Sequence, residues 1–111
     1  MAYGYTKKSI KDVVKGDTFD RSFLVDSDFP LTGMSVRCQV KEFNDSAAAV
    51  LTFTTGDNSI VITGQEIRLR KSADKMNIAV KVYLYDVQFT SPADEVFTLF
   101  GGKFIMKQDF A

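Results

Sequence analysis

Any acid–base chemistry in this chain must come from carboxylates, because it contains no histidine. Histidine triads, histidine general bases and histidine-liganded zinc are excluded on that ground. Asp26 and Asp28 share a loop, Asp57 sits beside Asn58, and Asp94 precedes Glu95. Glycosidase-type hydrolysis needs two carboxylates facing each other across a cleft, which spacing along a chain does not supply. Turns also attract aspartate for local hydrogen bonding, and that reading is preferred here. A carboxylate hydrolase built on Asp26, Asp28 or Asp86 is the remotest of three function classes, and no catalytic residue is assigned. Asp26-Ser27-Asp28 and Asn44-Asp45-Ser46 offer hard oxygen ligands for calcium. Neither continues into an EF-hand loop, so no metal and no cofactor is expected. Ser72-Ala73-Asp74-Lys75 fits S-x-x-K by chance, since the partner motifs and the larger α/β fold are missing. Gly101-Gly102 lacks the Gly-Lys-Ser/Thr and the helix of a phosphate loop, and reads as a hairpin turn or bulge. Arg68-Leu69-Arg70-Lys71, with Lys75 nearby, is the densest basic stretch, but Ile67 and Leu69 belong to a core face rather than to a base-stacking platform.

The elements that hold these residues follow a period of two. Met34-Ser35-Val36-Arg37-Cys38-Gln39-Val40-Lys41 alternates without a fault, which sets Met34, Val36, Cys38 and Val40 on one face of a half-buried strand. Residues 19–25 are strand-like with Phe23 and Val25 inward, and residues 49–54 are rich in β-branched and aromatic side chains. Ile60/Ile62 and Ile67/Leu69 are the inward pairs of two short strands. Residues 78–89 read as a long central strand, and 96–100 and 103–108 complete the set. Turn signals at Lys15-Gly16-Asp17, Asp28 to Gly33, Phe43 to Ser46, Gly56-Asp57-Asn58, Gly64, Ser91 to Asp94 and Gly101-Gly102 separate them. Both prolines fall in turns. Strands at this spacing predict an antiparallel all-β sandwich of seven or eight strands. The only helical candidate is one turn at Ser72 to Met76, with Ser72 placed to cap it.

Composition narrows the class. The 111 residues predict one domain over 1–111, with an N-terminal arm over about residues 1–9. Fourteen basic and fourteen acidic side chains cancel, which argues against nucleic acid as a partner. Cys38 stands alone and cannot form an internal disulfide. The longest apolar run, Ala47 to Leu51, is far short of the ~20 residues of a membrane span, so no membrane insertion is expected. No apolar stretch follows Lys7-Lys8 to make a secretory signal, and synthesis in the cytoplasm is expected.

Ten phenylalanines and four tyrosines are many for a small core. Phe23, Phe53, Phe97 and Phe104 fit inward positions. Phe19, Phe29, Phe43, Phe89, Phe100 and Phe110 fall at strand ends or on the opposite face, and Tyr3 and Tyr5 lie in the arm. Exposed rings at that density call for a covering partner, and Tyr3, Tyr5, Phe29, Phe100 and Phe110 are the expected interface residues. The alternative is that loops and the arm cover both sheet faces.

Four segments then resemble a family of small tailed-phage virion proteins. Asp28-Phe29-Pro30-Leu31-Thr32-Gly33 running into Arg37-Cys38-Gln39-Val40-Lys41 is similar to its opening. Asn58 to Gly64 with Ile67-Arg68-Leu69 is similar to its paired short strands. Tyr83-Leu84-Tyr85-Asp86-Val87-Gln88-Phe89-Thr90 and Val96-Phe97-Thr98-Leu99-Phe100-Gly101-Gly102-Lys103-Phe104 are similar to its later strand and closing hairpin. The order holds over roughly residues 17–110. Lys81, and Pro92-Ala93-Asp94-Glu95, depart from the family's glycines at turns and edges. The layout also resembles the N-terminal domain of phage baseplate upper proteins, which implies an immunoglobulin-like sandwich used as a virion building block. The implied function is non-enzymatic assembly with other virion proteins and copies of itself, in the virion, by surface burial and strand addition. The rival is a module binding host-surface glycan through the loops around residues 26–32 and 91–95. Two expectations accompany these readings: the Tyr83 and Tyr85 hydroxyls reach polar partners at the sheet edge, and Asp86 takes backbone N–H groups or a lysine.

Overall fold

The computed structural model describes residues 6–25, 29–42 and 48–108. Two β-sheets pack face to face as a β-sandwich. Strands β1 (Thr6–Lys7), β2 (Ile10–Val14), β4 (Ser35–Lys41), β5 (Leu51–Thr54), β8 (Val82–Thr90) and β9 (Val96–Lys107) form the larger sheet. Its order is β1-β9-β8-β4-β5, with β2 joining β9 beyond β1. Strands β3 (Phe19–Leu24), β6 (Ile60–Thr63) and β7 (Glu66–Lys71) form the smaller sheet, in the order β3-β7-β6.

The alternation sets the layers. Val36, Cys38 and Val40 of β4 face inward, with Cys38 in register with Phe53 on one side and Val87 on the other. Tyr83, Tyr85, Val87 and Phe89 do the same from β8, and Ile67 and Leu69 from β7. Phe19 closes the middle of the core, its ring 5.4 Å from Phe53 and 5.5 Å from Phe104. Burial of each such side chain contributes about 1.5–3 kcal/mol. Cys38 is fully enclosed, and burial pushes its thiol well above the usual range, so it is an inert core residue.

Several expectations change. The final segment is one twelve-residue strand, not two joined by a Gly101-Gly102 turn. Both glycines lie inside β9, where the N-terminal chain crosses them. That N-terminal chain is sheet rather than arm from Thr6 onward, because β1 and β2 pair in parallel with β9. These two strands raise the expected count to nine.

Phe100 is 5% exposed and Phe29 is 1% exposed, so neither is available to a partner. For Phe100 the cause is a bulge. Val87 pairs with Phe100 but Gln88 pairs with Thr98, leaving Leu99 unopposed. One extra residue reverses the alternation and turns both Phe97 and Phe100 inward. Phe29 folds back from its loop to plug the end of the sandwich, 5.3 Å from the Phe89 ring and 5.5 Å from Phe97. Gln65 holds that loop by donating to the Phe29 carbonyl at 2.9 Å. Phe19 and Phe89 are core residues as well. Tyr3, Tyr5, Phe43 and Phe110 lie outside the described residues. Among the described residues, the rings expected at strand ends or on the opposite face, Phe19, Phe29, Phe89 and Phe100, are thus all taken up by the core.

The expected helical turn is a short 3-10 segment at Ala73–Met76, with Ser72 at its cap position but making no capping side-chain bond. Among the described residues no helix is long and apolar enough to cross a membrane.

Candidate functional site

A sandwich has strand edges, and each edge is a row of backbone donors and acceptors that proteins must cover or blunt. Here the borders differ. The β9 edge is covered by β1 and β2. The β2 border is capped in turn, because Arg21 of the smaller sheet donates to the Lys11 carbonyl at 2.7 Å and to Asp12 at 3.4 Å. Asp12 adds a left-handed backbone, φ 59°, where the register slips. The β5 border is capped at the opposite side of the sandwich. Lys71 donates to the Thr52 carbonyl and lies 4.8 Å from the Phe53 ring, while the Thr54 N–H donates to the Ser59 hydroxyl at 2.8 Å. The β3 border carries a charge, Asp20, which accepts from Arg68 at 2.8 Å. That guanidinium holds the Asp20 carboxyl below its ordinary value.

Among the described residues β6 has none of these devices. It pairs only with β7 among the described residues. The Arg70 N–H donates to the Ser59 carbonyl at 2.8 Å, which makes 59/70, 61/68 and 63/66 the bonded pairs. The N–H and C=O groups of Ile60 and Ile62 therefore point outward, and no described residue bonds them. The strand reads Ile60-Val61-Ile62-Thr63: no charge, no proline, three β-branched aliphatics, with Val61 49% exposed. Its shortness is its one protection.

Among the described residues, the carboxylates singled out by sequence lie apart, Asp57 and Asp94 in separate turns and Asp86 within β8. Asp57 is a turn residue that accepts from the Ser59 N–H at 2.9 Å and from the Ser59 hydroxyl. These bonds hold its pKa down at about 2, too low for a general base near neutrality. Asp94 sits in a left-handed turn, φ 63°, that Ser91 organises by accepting from the N–H groups of Ala93 at 3.2 Å and Glu95 at 3.1 Å. Asp86 is half-buried on the outer face opposite Gln39 and Gly101, and takes neither a backbone donor nor a lysine among the described residues. Asp26, Asp28, Asn44, Asp45 and Ser46 lie outside the described residues. Among the described residues no group of three or more acidic or cysteine side chains is placed to hold a metal. Arg68 and Arg70 lie on the solvated face of β7, as expected.

Two end loops do meet. Phe29, Pro30, Thr32 and Met34 face Ser91, Pro92, Glu95 and Phe97 across a cleft of about 310 Å³. A Cβ on Gly33 would sit 3.1 Å from the Pro92 ring, a measure of how closely the loops approach.

The tyrosines behave as expected. Tyr83 donates to the Ala79 carbonyl at 2.7 Å and Tyr85 to the Lys8 carbonyl at 2.8 Å. The sequence reading missed what the second bond implies, namely a socket for the N-terminal chain. Its signal was Gly102, whose φ is +152° and whose Cβ, if present, would lie 2.5 Å from the Lys8 oxygen.

No family model matches the chain, and no curated protein matches it. A solved structure with a similar fold is that of a candidate glycoside hydrolase from Bacteroides vulgatus, at a TM-score of 0.51 and 13% identity. The match covers 87% of this chain and 16% of the other, so this chain spans about one sixth of that protein's length. At that identity the likeness concerns fold alone.

Proposed function

We propose that this chain is a non-enzymatic building block of a tailed-bacteriophage virion, made in the host cytoplasm. It works as an immunoglobulin-like sandwich whose open β6 edge receives an extended strand from another virion protein or a second copy. The observation that carries this reading is the contrast among the borders. Among the described residues every edge but β6 is covered, capped or charged, and an unprotected aliphatic edge is a template for strand addition. The strand order β1-β9-β8-β4-β5 against β3-β7-β6 supports the immunoglobulin-like description. The segments that resemble the phage family fall on β4, β6, β7, β8 and β9, so the resemblance follows the framework that carries the edge.

The test uses the isolated chain and particles released by the host that encodes it. Wild-type protein associates with rising concentration in sedimentation velocity, and immunogold labels the particles in stoichiometric amounts. Val61→Glu weakens the association at least tenfold. A monomer at millimolar concentration together with unlabelled particles would refute this reading.

The second reading, a glycan-binding module, draws on the cleft between residues 29–34 and 91–97. Phe97 and Met34 give it an apolar floor, and Glu95 gives it an acceptor for sugar hydroxyls. Saturable binding in a glycan screen, lost in Phe97→Ala, would favour it.

A further inference from the structure

We infer that the N-terminal strand pair is exchangeable between copies of this chain. Residues 6–14 of one molecule would occupy the seat on β9 of another. The inference draws on the assembly reading only for its use, since the seat is described independently of β6.

The seat is built for one occupant. Thr6 and Lys7 lie in register with Phe100 and Gly101, and Ile10, Val13 and Val14 with Phe104, Met106 and Lys107. Between the two strands the Lys8 N–H donates to the Gly101 carbonyl at 2.8 Å, and the Lys8 carbonyl accepts from Tyr85. The Lys8 backbone drops into the space left by the missing Gly102 side chain. Ile10 and Val13, 2% and 3% exposed, insert as core residues. A second copy carries this same segment, so it fits the seat without any new contact.

The hinge is equally well defined. Only Lys15-Gly16-Asp17 and Thr18 separate β2 from β3, and the Asp17 N–H closes the turn on the Val14 carbonyl at 3.2 Å. Gly16 has φ +83°, and a Cβ there would meet nothing within 4 Å. Opening the turn breaks this bond and the one the Gly16 N–H donates to the Met76 carbonyl at 3.2 Å, and then frees the whole segment. Exchange of an identical element through a short hinge is a low-cost route to dimers. Because seat and segment are unchanged and only the hinge bonds differ, the dimer dissociation constant is no tighter than the effective concentration of the tethered segment, on the order of 1 mM. Copies held side by side in an assembly reach such a local concentration.

Gly16→Ala supplies the lever. A left-handed alanine is strained only in the closed turn. With one hinge per chain, the dimer tightens roughly thirtyfold, which is about 2 kcal/mol at 1.4 kcal/mol per tenfold. The decisive readout is covalent. Val13→Cys is placed in an isotopically heavy chain and Met106→Cys in a light one, and the two are mixed at millimolar concentration and oxidised. Neighbouring strands bring these positions within disulfide reach. Both substitutions in one chain give the intrachain disulfide that verifies the seat. Heavy–light cross-linked dimers, increased by Gly16→Ala, are expected. Absence of heavy–light cross-links in the Gly16→Ala background overturns exchange. So does a dimer that forms without them, and in that case the β6 reading still stands.

Discussion

The larger sheet and the smaller sheet treat their borders differently. Each outer strand of the larger sheet is capped by a cation from across the sandwich, Arg21 over β2 and Lys71 over β5. In the smaller sheet β3 carries Asp20, whereas β6 presents backbone that no described residue bonds, beside Val61. The side chains that close the two long sides of the sandwich also protect the larger sheet. β6 lies beyond their reach. Edge protection is thus a product of how the layers meet, and the exception marks where another chain can be added.

The largest effect on edge protection is expected at Gly102. Alanine there would collide with the Lys8 carbonyl, so β1 and β2 must shift and uncover the β9 edge. Gly102→Ala is expected to lower stability by about 3 kcal/mol in urea unfolding, within the usual cost of overpacking a tight contact. It should also make the protein aggregate through β9. Tyr85→Phe removes the hydroxyl that anchors the same carbonyl and costs about 1–2 kcal/mol by the same measurement.

The β5 cap is tested by pH. The folded pKa of Asp57, about 2, lies below the ordinary carboxylate value near 4. Its contribution is therefore present above pH ~4 and is lost as pH falls towards 2. Thermal melts should show a shallow loss of stability over that window, and Asp57→Asn should flatten it. The effect is small because the group is exposed. The smallest change in stability is expected for Val61→Glu, within ±0.5 kcal/mol, since the site is exposed and Arg68 stands opposite. This substitution should nevertheless have the largest effect on association.

The strands were readable because alternation reports burial directly. Val36, Cys38 and Val40 obey it from β4, as do Tyr83, Tyr85 and Val87 from β8. Phe100 was not readable, because a bulge at Leu99 shifts the register without leaving a mark in composition. Phe29 was not readable either, since a loop ring that plugs a sandwich end has no period. Gly101-Gly102 misled for a plain reason: glycine serves both turns and close backbone approaches, and only the partner strand distinguishes them. The edges depend on which sheet each strand joins, and no local pattern encodes that. The capping roles of Arg21 and Lys71 were hidden for the same reason.

Amide hydrogen exchange at Ile60 and Ile62 addresses the open edge most directly. In dilute monomer both N–H groups should exchange nearly as fast as unstructured amides, while Val61 is protected by its bond to β7. In concentrated protein, or in particles that carry the chain, both should slow by at least a hundredfold, and Val61→Glu should abolish the slowing. If Ile60 and Ile62 continue to exchange freely in the assembled state, β6 is not where strands are added.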